Sequence, residues 1–304
     1  MNSFFVLSAE VKAALEQNKP IVALESTIIT HGMPYPQNLE TALQCEEIIR
    51  QNGCTPATIA VIQGKCKIGL NKDELTYLAK KGQQVLKASR RDIPYLIVEQ
   101  LDGATTVSGT MFLANQANIK VFATGGIGGV HRNAEETFDI STDLDELAQT
   151  SVAVVCSGAK SILDIGKTLE WLETKAVPII GYQTSTFPLF YSAQSEYPVP
   201  YRFDSSQKIA EFLKTKWESN LNGGIIIANP IPQKWELDSE WMEEKIQSSI
   251  QTAQNKKIRG KDVTPFLLQE IGHLTGNVSL QSNIQLVYNN CLIASFIAKD
   301  YHAL

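Results

Sequence analysis

The chain has no cysteine pair to staple it, no basic excess to hold a polyanion and no apolar run long enough for a membrane. Its five cysteines (Cys45, Cys54, Cys66, Cys156, Cys291) are odd in number, scattered and never spaced as C-x-x-C. That argues against a disulfide framework and fits reduced thiols in a cytoplasmic protein, with Cys156 and Cys291 reading as small core residues. Four histidines with no metal spacing among them or the cysteines make a zinc site improbable. Lysine and arginine number 27 against 32 acidic residues, a net charge of −5, so nucleic acid is not an expected partner. No apolar stretch approaches the roughly 18 residues of a membrane span. The opening Met1-Asn-Ser-Phe-Phe-Val-Leu-Ser8 lacks the length and basic residues of a signal peptide. Repeats, low-complexity segments and linkers are also missing. With 43% hydrophobic residues over 304 positions, the expectation is one globular domain, 1–304.

What is present alternates between two periodicities. Apolar runs at 21–26, 58–62, 85–88, 119–123, 152–156, 177–182 and 224–228 read as strands. Between and after them lie helical patterns at 8–17, from Asn38 to Gly53, from Asn71 to Gly82, near Tyr95, and over 108–117, 161–174, 207–219, 239–255, 264–274 and 282–301. Residues 183–204, with three prolines and several aromatics, read as a long ordered loop, and Asn229-Pro-Ile-Pro232 as a rigid turn. Such alternation predicts an α/β fold of three layers, α/β/α, around a largely parallel or mixed sheet.

In open α/β sheets, ligands gather outside the carboxyl ends of the strands. The most informative such end is Val121-Phe-Ala-Thr-Gly-Gly-Ile-Gly-Gly-Val-His-Arg132, followed by Phe138-Asp-Ile-Ser-Thr-Asp143. Glycines permit positive φ and close backbone approach, and free amides after a strand suit a phosphate-like anion. The loop is neither a Walker A motif, since no Lys-Ser or Lys-Thr follows, nor a dinucleotide fingerprint, since the G-x-G-x-x-G spacing is absent. Glu25, Lys87, the Thr105-Thr-Val107 run and Lys160 end other apolar segments, so topology predicts one shared rim. Lys160 is read as sitting at the start of a helix capped by Ser161 or a neighbour, where the dipole disfavours added positive charge and suits a Schiff-base amine. Half-buried after Ile21-Val-Ala-Leu24, Glu25 suits proton donation. Asp139 and Asp143, four apart, are both candidates for a hard cation, and His31 and His131 for ligand contact.

Four stretches carry a resemblance. Ala23-Leu-Glu-Ser-Thr-Ile-Ile-Thr-His-Gly-Met-Pro-Tyr-Pro-Gln-Asn38, Ala123-Thr-Gly-Gly-Ile-Gly-Gly-Val-His-Arg132, Gly158-Ala-Lys-Ser-Ile-Leu-Asp164 and Ser282-Asn-Ile-Gln-Leu-Val287 resemble the pseudouridine-5′-phosphate glycosidase family, related to indigoidine synthase A. The likeness runs from about Ser8 to Tyr301. Small departures at Ser157 and Ser108-Gly109 touch none of the positions it assigns. The resemblance implies reversible splitting of the C–C bond between uracil and ribose 5-phosphate, in a homotrimer using one divalent cation, usually manganese, per subunit. It implies Glu25 as proton donor, Lys160 as covalent nucleophile and Asp139 as metal ligand. Substrate binding falls to Lys87, Val107, Ser141, Thr142 and Asp143, with His131 and Asn283 lining the pocket. Two other readings remain open at this point. One is a non-catalytic sugar-phosphate binding protein, the other a related carbon–carbon lyase of pigment biosynthesis.

Overall fold

A computed structural model describes residues 4–304; Met1, Asn2 and Ser3 of the opening segment lie outside the described residues. Strand β1 (Phe5–Leu7) leads into α1 (Ala9–Glu16), where the Ser8 side chain accepts from the Val11 amide at 3.1 Å. Strand β2 (Ile21–Leu24) passes through a π-helical turn, Ile28–Gly32, into α2 (Gln37–Gln51). Strands β3 (Thr55–Ile62) and β4 (Lys65–Ile68) form an antiparallel hairpin whose turn residues, Gln63 and Gly64, both have positive φ. The Asn71–Glu74 capping box starts α3 (Lys72–Lys81) as the sequence predicts.

The second stretch is built from shorter pieces: β5 (Leu86–Ala88), α4 (Ile93–Val98), β6 (Gly103–Thr105), α5 (Val107–Gln116) and β7 (Val121–Ala123). After the glycine loop come α6 (Ala134–Thr137), α7 (Thr142–Gln149), β8 (Ala153–Cys156), α8 (Ile165–Thr174) and β9 (Ile179–Tyr182). The chain ends with β10 (Tyr201–Phe203), α9 (Ser206–Glu218), β11 (Ile225–Ala228), α10 (Ser239–Asn255), α11 (Val263–Leu274) and α12 (Val278–Ala303).

One sheet joins the eleven strands in the order β1-β4-β3-β2-β7-β8-β11-β9-β10, with β6 on the second half of β3 and β5 beside β6. From β3 to β10 every neighbour in that order is parallel; the antiparallel pairs are β3 with β4 and β3 with β6. The mixed three-layer α/β expectation therefore holds. Strands β2, β7, β8 and β11 are buried along their whole length, which is why they read as unbroken apolar runs rather than alternating ones. All five cysteines are free and buried. Among the described residues no helix is long and apolar enough to cross a membrane.

Several elements depart from the sequence reading. Strands β1, β4 and β6 were not anticipated, because three or four residues carry too little periodicity to read. Between the glycine loop and β8, where the sequence reading assigns no element, lie α6 and α7. Residues 183–204 are ordered by burying Phe187, Phe190 and Tyr191, and end in the edge strand β10. The largest correction concerns 161–174. Helix α8 begins only at Ile165, with Asp164 as its cap accepting from the Lys167 amide at 3.0 Å. Before it, the chain is fixed by bridges Ile127↔Ala159 and His131↔Leu163 and makes only a single turn between them, closed by the Leu163 N–H on the Lys160 carbonyl at 3.0 Å.

Candidate active site

The carboxyl ends of β2, β5, β7 and β8 bring the anticipated residues to one rim. Glu25 follows β2 and is 7% exposed. One carboxyl oxygen, Oε2, accepts from the Thr27 hydroxyl and the other, Oε1, from the Thr124 hydroxyl. Lys160 lies on the loop after β8, where its N–H donates to the Ile127 carbonyl at 3.1 Å. Lys87 sits in β5 with Nζ 3.4 Å from the Lys261 carbonyl oxygen. These three line one cavity with His31, Gly125, Gly126, Phe190 and Asn283, closed on the far side by Thr264, Pro265 and Leu268 of α11. Past the two lysines it continues into an outer lobe lined by Ser89, Arg91, Thr106, His131, Asp139, Ser141, Thr142 and Asp143.

The electrostatics single out Lys87. Burial, then the nearby Lys160 charge, bring its ammonium down to about 8. The helix start expected beneath Lys160 lies five residues on, so a helix dipole does not act on that amine. His31 is pushed down to about 4, mainly by burial and next by Lys87, and its Nδ1 shares a hydrogen bond of 2.5 Å with Thr30 Oγ1. Burial also lowers His131, against the opposing pull of the Asp139 carboxylate.

The glycine loop works differently from expectation. None of Gly125, Gly126, Gly128 and Gly129 has positive φ; each is needed for close approach. A Cβ on Gly126 would lie 2.7 Å from Phe190, and one on Gly128 2.2 Å from Ser141 Oγ. Four amides of the loop and its exit already have acceptors, whereas among the described residues those of Gly125, Gly126 and Gly129 donate to no protein group. Ile127 donates to the Gly158 carbonyl, Gly128 to Asp143 Oδ2, Val130 to Thr168 Oγ1 and His131 to the Asp139 carbonyl. Lys87, Arg91 and Lys261 add cationic side chains around the outer lobe.

Asp143 is buried, with Oδ1 accepting from the Ser108 amide and Oδ2 from that of Gly128, both at 2.9 Å. It thereby clamps the first turns of α5 and α7 to the glycine loop. Ser141 caps α7 through the Asp143 amide at 3.2 Å, and Thr142 is exposed in its first turn. The Val107 side chain packs in the core, which leaves its backbone at the start of α5 for any ligand. Asn283, buried on α12, reaches the inner lobe. Thr27, Thr124, Arg91 and Lys261 were missed. Only Thr124, a hydroxyl at a strand end before four glycines, left a readable signal.

Among the described residues no three His, Cys, Asp or Glu side chains converge as a metal cage. Asp143 has both oxygens on backbone amides, so of the two aspartates Asp139 is the one free to reach a cation. A single carboxylate facing a polar lobe fits a hard cation that keeps most of its waters, and does not fit structural zinc.

Comparison with known proteins adds family context. The model of the family described as indigoidine synthase A like protein matches residues 10–300. A pseudouridine-5′-phosphate glycosidase of Hahella chejuensis is 56% identical over 303 residues, covering 100% of both chains. The protein of that name from Escherichia coli is 54% identical over 298 residues, covering 98% of this chain and 96% of its own. The crystal structure of the prealnumycin C-glycosynthase AlnA in complex with ribulose 5-phosphate superposes with a TM-score of 0.91 at 34% identity, covering 100% of this chain and 98% of its own.

Proposed function

The chain belongs to the indigoidine synthase A-like family, and on that footing we propose that it is a pseudouridine-5′-phosphate glycosidase. The observation that carries this reading is the convergence of Glu25, Lys87 and Lys160 on one cavity, in a chain matching glycosidases of that name from end to end. Uracil leaves through carbon, so protonating a heteroatom leaving group, the usual glycosidase device, is not available. Instead Glu25 gives its proton to the ribose ring oxygen as the C1′–O4′ electron pair moves onto it. The Lys160 amine then bonds to C1′ and sheds a proton. C5 of uracil takes up a proton, and the nitrogen lone pair closes C1′=N as the C1′–C5 bond breaks. Water adds to the imine carbon and frees the amine and ribose 5-phosphate. Overall one water is consumed and one C–C bond is cleaved.

We assign the 5′-phosphate to the outer lobe, beside Lys87, Arg91 and Lys261 and the first turns of α5 and α7. That lobe is also lined by Thr106, the residue before Val107, and by the Ser141-Thr142-Asp143 run. The uracil belongs in the inner lobe with Asn283, and His131 lies beside Asp139 between the lysines and the outer opening. A divalent cation, which we take to be manganese, would be held by Asp139, with water and substrate oxygen completing its shell; it would supply charge neutralisation there. We further propose a cytoplasmic homotrimer. A binding protein without catalysis would have no need for a buried carboxyl beside two lysines, and the C-glycosynthase neighbour is far less similar in sequence than the glycosidases.

The decisive assay is free uracil released from pseudouridine 5′-phosphate with manganese added and then removed by a chelator. No uracil under either condition would overturn the assignment. Asp139→Ala is expected to lose most turnover and its response to manganese. Titration calorimetry giving wild-type manganese affinity in that variant would remove Asp139 from the metal site.

Lys87→Ala is expected to raise KM for the phosphorylated substrate by about tenfold to a hundredfold, the scale of one lost charge-assisted contact. In the wild type, KM should climb as pH rises through about 8, where the ammonium is lost. The same group opposes folding. Its folded value lies below the ordinary 10.5, so between those two pH values the unfolded chain binds more protons and stability rises with pH. Lys87→Met should flatten that rise in denaturant midpoints. Equal cleavage of unphosphorylated pseudouridine would show that no phosphate contact is made.

A further inference from the structure

We propose that Thr27 and Thr124 are positioning residues that hold the Glu25 carboxyl on the sugar ring oxygen through both of its charge states. The proposal rests on the glycosidase reading above. Each carboxyl oxygen meets its own hydroxyl, Thr27 at Oε2 and Thr124 at Oε1, and all three side chains are buried. Sheet register explains the encounter. Leu24 of β2 pairs with Ala123 of β7, so the next residues, Glu25 and Thr124, leave the sheet side by side although 99 positions apart. Thr124 is itself fixed, its N–H donating to the Val155 carbonyl at 3.0 Å and its carbonyl accepting from Asn290 Nδ2 at 2.7 Å. Asn290 is fully buried on α12 and also bonds Ser157, three residues before Lys160, at 3.2 Å. The proton donor and the lysine loop thus share one anchor.

The choice of hydroxyls fits the chemistry. A proton donor is a carboxylic acid before the step and a carboxylate after it. Backbone amides can only donate, and would favour the carboxylate. A hydroxyl donates or accepts by rotating its hydrogen, so it partners either form without moving a heavy atom. Threonine's branched Cβ further restricts where that oxygen sits.

The test compares wild type, Thr124→Val, Thr124→Ser and Thr27→Val. Thr124→Val keeps the shape and removes the hydroxyl. Its kcat for uracil release should fall about tenfold to a hundredfold with KM within about twofold, while Thr124→Ser recovers kcat to within about threefold. Thr27→Val reports on the other oxygen and should behave as Thr124→Val does. Borohydride trapping on Lys160 separates positioning from general damage. Adduct formation from ribose 5-phosphate, whose ring must open, should slow in both valine variants. Adduct formation from glyceraldehyde 3-phosphate, too short to close a furanose, should match wild type. Valine variants with wild-type kcat would overturn the proposal, and so would equal slowing of both trapping reactions. If wild type itself releases no uracil, the glycosidase reading fails, and the two trapping rates still report on the threonines.

Discussion

Lys160→Ala is expected to reduce uracil release by at least about a thousandfold, because no other route offers an electron sink when carbon is the leaving group. Incubating wild type with ribose 5-phosphate and a hydride reductant should fix a pentose phosphate on the peptide containing Ser157 to Asp164. In Lys160→Ala that adduct should vanish. The fold should survive, since the lysine backbone is held by the Ile127 carbonyl and the extended bridges on either side, none of which needs the side chain. Arginine would not rescue, being permanently charged and a poor nucleophile. Near-normal turnover in Lys160→Ala would sink the covalent route, and an adduct on Lys87 would exchange the roles of the two amines.

Glu25→Gln is expected to lower kcat by roughly 10²- to 10⁴-fold, the range of a general acid. Glutamine keeps the shape, and its amide can still exchange hydrogen bonds with Thr27 and Thr124, so binding should change little. Product binding measured by calorimetry should therefore stay close to wild type. Retention of more than about a tenth of wild-type kcat would mean that the ring oxygen takes its proton elsewhere.

Much of this site could be read from the sequence because it is built on local punctuation. Glu25, Lys160 and the glycine run each follow an apolar stretch that is buried on both sides, and such stretches are legible as strands. The capping box at Asn71 and the register of α10 are equally local. What failed depended on partners distant in the chain. Residues 161–164 have helical composition, but bridges from Ala159 and Leu163 to the glycine loop allow only one turn before the helix starts after Asp164. The four glycines suggest a nest of free amides, yet the distant carboxylate of Asp143 takes that of Gly128, and close packing rather than positive φ explains the run. Lys261, whose carbonyl meets Lys87, lies in a segment with no motif at all.

Helix α12 also sets when the protein can begin to work. It packs on β2, β7, β8, α2 and α9, and carries Asn283 into the cavity and Asn290 under both reactive loops. Asn290 lies 166 positions from Thr124 and 133 from Ser157, the two residues it ties together. A folding chain can pair β2 with β3 locally, but it cannot fix Thr124 or the Ser157 turn until α12 has docked. The chain should therefore stay catalytically silent while it folds and gain activity in one late, non-local docking step, with folding correspondingly slow for its size.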